Sequence, residues 1–259
     1  MIILFSGSHN IKIGGILDIS TIDWYGNVSL VVFFAGCNFR CPYCHNSSLV
    51  SLDSGEQVDL EHLRKRIEMN RNLIDAVVFT GGELLLQSES VIEAAKLVKS
   101  YGLKLMLDTN GSISSAAKRI FETECVDRVA LDIKAPLIPE EYQKVACSKM
   151  SGSTIVNNIK QIINLCNFYN IKIEARTTIT PTISDDINFI KHISNDIKGK
   201  YDVFYLQQFD NAGEILDNKL KVILPPSRER MLELAKIAIS EGLSNVYIKT
   251  REYGLERVG

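Results

Sequence analysis

Three of the six cysteines in this 259-residue sequence fall in one short stretch, Gly36-Cys37-Asn38-Phe39-Arg40-Cys41-Pro42-Tyr43-Cys44-His45-Asn46. Gaps of three residues and then two let one loop set three thiolates around a single face of a compact centre. Thiolates are ligands for soft metals, meaning zinc or an iron–sulfur cluster. On a four-iron cluster, three protein thiolates leave one iron open to a substrate or cofactor. A zinc site would need a fourth ligand, and its usual form is a pair of cysteines with a second pair elsewhere. No second pair exists, and His45 directly abuts Cys44, an awkward position from which to chelate the same ion. Cys125, Cys147 and Cys166 stand far apart and read as small buried apolar residues. A disulfide framework would distribute its cysteines differently. His62 and His192 sit in helical patterns and read as surface residues.

The cysteine loop directly follows Ser29 to Phe34 (SLVVFF), a continuous apolar run of the kind buried on both faces of a sheet. Further strand patterns cover Ala76 to Thr80, Leu103 to Asp108, Arg128 to Ile133, Ile171 to Thr178 and Val203 to Gln208, with a shorter seventh from Asn245 to Lys249. Helical patterns alternate with them at Leu60 to Met69, Glu89 to Tyr101, Ser112 to Glu122, Ser153 to Tyr169, Ile187 to Ile197 and Ser227 to Glu241. Gly102 and Gly242 fall where helices should be capped. Such alternation predicts an α/β fold, a parallel sheet with crossover helices. Six main βα units are too few for the closed eight-unit barrel, so an open partial (β/α)6 barrel is expected, with a flat doubly wound sheet as the alternative. No repeat, low-complexity tract or linker divides the chain. One domain over 1–259 is the economical reading, with 1–28 as an N-terminal extension and 29–250 as the barrel core.

In parallel α/β folds, ligands bind where strands end at their carboxyl side. Those ends carry the chemistry here: the cysteine loop after the first strand, Thr80-Gly81-Gly82-Glu83 after the second, Asp108-Thr109-Asn110-Gly111 after the third and Leu131-Asp132-Ile133-Lys134 after the fourth. Glycines let backbone approach a ligand closely, and a carboxylate suits an ammonium partner. The composition, 46% hydrophobic and 23% charged, is ordinary for a globular chain that buries a core without a structural metal. A formal net charge of −2 gives no reason to expect nucleic acid as a partner. The opening Met-Ile-Ile-Leu-Phe lacks the length and basic flank of a signal peptide, and no apolar stretch approaches the roughly 20 residues of a membrane span. A cytoplasmic protein is expected.

The Cys-x-x-x-Cys-x-x-Cys spacing, with aromatic Tyr43 before the last cysteine, resembles the radical S-adenosylmethionine (SAM) superfamily. Thr80-Gly81-Gly82-Glu83 is similar to that family's Gly-Gly-Glu motif, although Leu84 stands where proline usually follows, and the Asp108–Gly111 segment also has family counterparts. The resemblance implies a radical SAM partial barrel whose 4Fe–4S cluster is held by Cys37, Cys41 and Cys44. It implies that the open iron takes the amino and carboxylate groups of SAM, which is reductively cleaved to methionine and a 5′-deoxyadenosyl radical. Tyr43 would lie against the adenine, and Gly81, Gly82 and Glu83 would receive the methionine amino group.

Within the superfamily the sequence is most similar to activating enzymes of glycyl radical enzymes, especially those paired with anaerobic ribonucleotide reductase. Gly15 to Asp23, Gly36-Cys37-Asn38, Tyr43-Cys44-His45-Asn46 and the Asp132-Ile133-Lys134 loop carry that likeness. It implies a glycyl radical enzyme as partner and a flavodoxin or ferredoxin-type electron donor. By analogy with pyruvate formate-lyase activators, Asp108, Thr109 and Asp132 would bind a monovalent cation beside the methionine carboxylate, an anion that two aspartates would otherwise repel. Asn110, Lys134 and the strand-borne Arg176 would complete the cofactor site. Gln207-Gln208-Phe209 stands where pyruvate formate-lyase activators carry Pro-Tyr-His, which argues against that substrate. Segments 46–58 and 136–152 are the expected reach points for a partner. Other readings are a radical SAM enzyme of a small molecule, peptide or nucleobase, and, from another class, a zinc-binding module without catalysis.

Overall fold

Side chains on a strand alternate between faces, and here the alternation separates two kinds of interior. The computed structural model describes residues 10–259. In chain order the elements are β1 (Asn10–Ser20), β2 (Ser29–Phe34), β3 (Glu56–Asp59), α1 (Leu60–Asn70), β4 (Ala76–Gly81), α2 (Ser88–Ser100), β5 (Lys104–Thr109), α3 (Ser114–Phe121), β6 (Arg128–Asp132), α4 (Pro139–Ala146), α5 (Gly152–Phe168), β7 (Lys172–Ile179), α6 (Ile187–Ile197), β8 (Val203–Gln208), α7 (Arg228–Ser240), β9 (Val246–Thr250) and β10 (Gly254–Arg257). They form one sheet in the order β10-β9-β8-β7-β6-β5-β4-β2-β1-β3. From β2 to β9 every neighbouring pair is parallel, and helices supply each crossover. Antiparallel β1, β3 and β10 extend the two flanks. The sheet does not close on itself.

One set of alternate residues packs against the helices: Leu30, Val32 and Phe34 of β2, Val77 and Phe79 of β4, Leu105 and Leu107 of β5, and so on to Val246 and Ile248 of β9. Phe34 and Phe79 meet edge to face there, with ring centroids 5.3 Å apart. The other set faces inward. Its apolar members, Val31, Ala76, Val78, Met106 and Ala130, form a separate small core around Trp24 from the β1–β2 loop. That loop crosses the concave face, since the Arg128 guanidinium lies 5.7 Å from the Trp24 ring centre and Lys249 reaches the Ile22 carbonyl. A flat sheet could not bring β6 and β9 to one short loop, so the curled, open barrel is the observed form.

The strands read from sequence are present, with ends shifted by at most a residue or two. Helix starts follow side-chain caps, with Asp59, Ser151, Asp186 and Ser227 accepting from the N–H three residues on. Four elements lack a clear signal. β1 buries only Ile11, Ile13 and Ser20 and is interrupted by Gly14-Gly15, where the register slips. β3 and β10 are four-residue edge strands, and α4 is eight residues with a proline in its first turn. The expected N-terminal extension thus supplies β1 to the sheet, while residues 1–9 lie outside the described residues. Cys125 and Cys166 are buried as expected. Cys147 is not: it is exposed, in the left-handed conformation that ends α4. His62 and His192 are exposed. Among the described residues no helix is long and apolar enough to cross a membrane.

Candidate active site at the carboxyl ends of the strands

The three cysteines occupy a loop whose backbone is tied down along its length. The N–H groups of Gly36 and Cys37 donate to the carbonyls of Leu49 and Val50, and the Arg40 N–H donates to Ala146. Ser148 Oγ donates to the Asn38 carbonyl at 2.9 Å, and Asn38 Nδ2 donates to Ser112 Oγ at 2.8 Å. A strap from the segment after β8 crosses the far side, where Leu216 and Asp217 N–H groups donate to the carbonyls of Cys44 and Pro42. Both segments expected as reach points for a partner, 46–58 and 136–152, also buttress this loop, the second through buried Tyr142, Val145 and Ala146. Burial pushes the Cys37 thiol up to about 11 and the Cys41 thiol up to about 12. Such sulfurs stay protonated at neutral pH unless a metal displaces the proton. Cys37 Sγ accepts from the Phe39 N–H at 3.4 Å and from Asn110 Nδ2 at 3.9 Å, contacts that suit a metal-bound sulfur.

Cys37, Cys41, Tyr43 and Cys44 line a cavity of about 690 Å³ that receives residues from the end of every parallel strand. That volume lies within the roughly 300–1,000 Å³ of small-molecule sites. Gly81 and Gly82 form part of its wall. What their missing side chains admit is the chain itself. A Cβ on Gly81 would lie 2.3 Å from the Phe34 carbonyl oxygen, and one on Gly82 would lie 2.2 Å from that of Gly36. The glycines thus seat the cysteine loop against the end of β4. Glu83 does not line the cavity. Its carboxylate is buried behind the wall and accepts from the Leu85 N–H at 3.0 Å, Thr109 Oγ1 at 2.8 Å and the Asn110 N–H at 2.8 Å. Burial raises it to about 7 against those three donors. The side chain expected to meet an amino group instead joins the β4 and β5 turns.

Charged residues fill the inner face from β5 to β9. Arg176 donates from Nε to Glu174 Oε1 at 2.7 Å and from Nη1 to Asp108 Oδ2 at 3.1 Å, and Thr80 Oγ1 donates to the same Asp108 oxygen at 2.8 Å. Glu174 also takes Arg128 at 3.0 Å. Burial raises the Asp108 carboxyl, and Arg176 opposes that rise. Lys134 Nζ reaches Asp132 Oδ2 at 2.6 Å, and Asp132 holds that ammonium well above its ordinary value despite burial. Tyr142 fixes the turn, accepting from the Lys134 N–H and donating to the Asp132 carbonyl. Asp108 and Asp132, the carboxylates expected to flank a monovalent cation, each pair with a cationic side chain, Arg176 and Lys134 respectively. Arg176 is both inward and paired, and Lys134 is a wall residue rather than a solvated one.

Asp108, Thr109, Asn110, Asp132, Lys134 and Arg176, all proposed from sequence, thus converge on the cysteine loop. The opposite wall was missed: Ile22 and Asp23 of the β1–β2 loop, Asp210 and Arg251. Lys249 carried a signal, because with Tyr247 it marks every second position of β9, a polar face inside a short strand.

The sequence pattern of the Radical SAM superfamily matches residues 31–188, from within β2 into α6. The chain belongs to the radical SAM superfamily. It is 34% identical over 238 residues to MJ1227 of Methanocaldococcus jannaschii, assigned by name to the glycyl-radical enzyme activating enzymes, with 92% of this chain and 95% of that one covered. It is 29% identical over 240 residues to the pyruvate formate-lyase-activating enzyme of Clostridium pasteurianum, covering 87% of this chain and 95% of that one. Within the superfamily it falls in this family of activating enzymes. The fold is shared with a radical SAM methyltransferase from Sphaerobacter thermophilus (TM-score 0.65, 12% identity, 87% of this chain and 67% of that chain). It is also shared with a domain of a pyruvate-formate lyase-activating enzyme from Bacteroides vulgatus (TM-score 0.51, 18% identity, 68% and 99%). Membership implies a 4Fe–4S cluster and SAM. The donor set fits them, with three thiols on one tethered loop and an adjoining cavity that carries paired charges of both signs.

Proposed function

We propose that this chain, working as a single domain, activates an anaerobic ribonucleoside-triphosphate reductase by generating a glycyl radical on it. The observation that carries the reading is the tethered three-cysteine loop opening onto one cavity at the ends of all the parallel strands. The reductase is favoured over pyruvate formate-lyase because Gln207-Gln208-Phe209 occupies the place of that group's Pro-Tyr-His. A flavodoxin or ferredoxin-type protein would supply the electron.

Cys37, Cys41 and Cys44 would hold three irons of the cluster, with SAM lying along the wall of Tyr43, Gly81, Gly82, Asp108 and Asn110. When bound, the cluster supplies one electron that splits SAM to methionine and a 5′-deoxyadenosyl radical, which takes a hydrogen atom from a glycine Cα. Asp108, Asn110, Asp132 and Lys134 would lie along the methionine end of SAM, and Arg176 and Lys134, paired with Asp108 and Asp132, would keep those carboxylates from repelling its carboxylate. Glu83 acts from behind, fixing Asn110 and Thr109 through hydrogen bonds. Phe33, Phe39 and Val50 on the cavity wall would limit water around the reacting carbon.

Anaerobic purification tests the reading. A brown protein with about four irons per chain should cleave SAM on reduction and give the reductase a glycyl radical signal in electron paramagnetic resonance. Each of Cys37→Ala, Cys41→Ala and Cys44→Ala should lose the cluster and the cleavage. A colourless protein with one zinc would replace the enzyme by a binding module. A radical on pyruvate formate-lyase but not on the reductase would reassign the partner.

A further inference from the structure

The β1–β2 loop crosses the open side of the barrel, and two side chains hold it there by its backbone. Lys249 donates from Nζ to the Ile22 carbonyl at 3.1 Å, and Arg176 donates from Nη2 to the Asp23 carbonyl at 3.3 Å. The held segment stands between the main cavity and a smaller one of about 140 Å³, and Ile22, Asp23, Arg176, Gln207 and Lys249 line both. The other cations on the cavity wall each have a carboxylate, Lys134 with Asp132, Arg176 with Asp108 and Arg251 with Asp210. Among the described residues Lys249 has none within ion-pair distance, and its ammonium is spent on a carbonyl. Gln207 lines both hollows, and its side-chain amide has no hydrogen-bond partner among the described residues.

We infer that the Ile22 and Asp23 carbonyls stand in for the backbone carbonyls of a polypeptide substrate, to which Lys249 and Arg176 transfer their hydrogen bonds when its glycine segment enters through this side. The proposal rests on the activase reading for the identity of that substrate. The exchange is carbonyl for carbonyl, so no charge is created or exposed and the donors need not move far. A glycine segment, lacking a side chain, can approach the two donors as closely as the latch backbone now does. Gln207, with a donor and an acceptor on one amide, matches a further peptide group. Burial lowers the Lys249 ammonium, which fits a group that shares its wall with Arg176 and awaits no fixed counter-ion. The outer side of the latch carries Ile22 and Tyr25, 70% and 65% exposed, where an arriving chain would first touch.

Hydrogen exchange on the full-length protein tests this, together with quenching of Trp24, the only tryptophan and itself part of the latch. Lys249→Met should speed exchange of residues 21–27 about tenfold and make Trp24 markedly more open to acrylamide, whereas Lys249→Arg keeps a donor and should restore both. Adding the anaerobic ribonucleotide reductase to the cluster-loaded wild type should speed the same segment toward the Lys249→Met rate. Unchanged exchange in Lys249→Met would sink the latch. A freed segment in the variant, with no response to a reductase that does acquire its glycyl radical, would leave the latch structural and overturn the substrate role. A wild type that yields no glycyl radical takes the substrate role down with the activase reading, while the latch is judged by the variants alone.

Discussion

Glu83 is a carboxylate with every reason to be ionised except its burial. Three donors point at it, yet removal from water holds it near 7, above the ordinary 4.5. A carboxylate raised in the folded state stabilises fully below its unfolded value, and that contribution fades as pH rises from about 4.5 to about 7. A tenfold change in proton affinity corresponds to about 1.4 kcal/mol, so a few kcal/mol are at stake across the window. Glu83→Gln removes the titration but turns an amide N–H₂ toward a backbone donor, at a cost of ~1–3 kcal/mol. In urea denaturation the stability of wild type minus that of the variant should shrink as pH rises through this window. A gap that stays constant or widens would refute the assignment. Arg176 makes a second case, since it bridges Glu174 and Asp108 from a nearly closed position. Arg176→Met should cost ~3–5 kcal/mol by leaving buried carboxylates short of a cation, more than an exposed ion pair could account for.

At the scale of elements, the strap after β8 is the least expected contributor. Ile215 is buried beneath it, while two of its backbone N–H groups hold carbonyls of the cysteine loop. Ile215→Ala should speed exchange of the Cys44, Leu216 and Asp217 amides, and the loaded protein should bleach faster in air. Equal bleaching with equal exchange would show the strap to be incidental. Nothing in residues 210–224 announces this role, because a strap binds by backbone and its side chains need no pattern. The parallel strands were legible because each is an apolar run facing helices, as in Val77 and Phe79, with chemistry at its end. The antiparallel flanks were not, for β3 buries only Val58 and β10 buries nothing fully, so little periodicity remains to read. The site divided the same way. Cys37 to Cys44 and Asp108 to Asn110 are contiguous and stand out, whereas the pairing of Arg176 with Asp108 depends on strand order, and the role of Lys249 depends on how far the sheet curls.

For the molecule as a whole, the curl is held by few residues. Trp24 fills the inner core beside Val31, Val78 and Met106 and stacks on Arg128, so one loop residue ties β2 to β6 across the bore. Trp24→Ala should cost ~3–5 kcal/mol in chemical denaturation, the range of a large core truncation. A loss under 1 kcal/mol would mean that the helices alone impose the curvature, with ~1 kcal/mol being the scale of an ordinary surface change. The interior so enclosed changes along the bore: Val31, Ala76, Val78, Met106 and Ala130 pack around Trp24, while Asp108, Asp132, Lys134 and Arg176 line the cavity at the carboxyl ends of the strands. A zwitterionic guest would find partners for both of its charges at that end. The cysteine loop lies at the same end, so the charges that draw such a guest in would leave it beside the thiols.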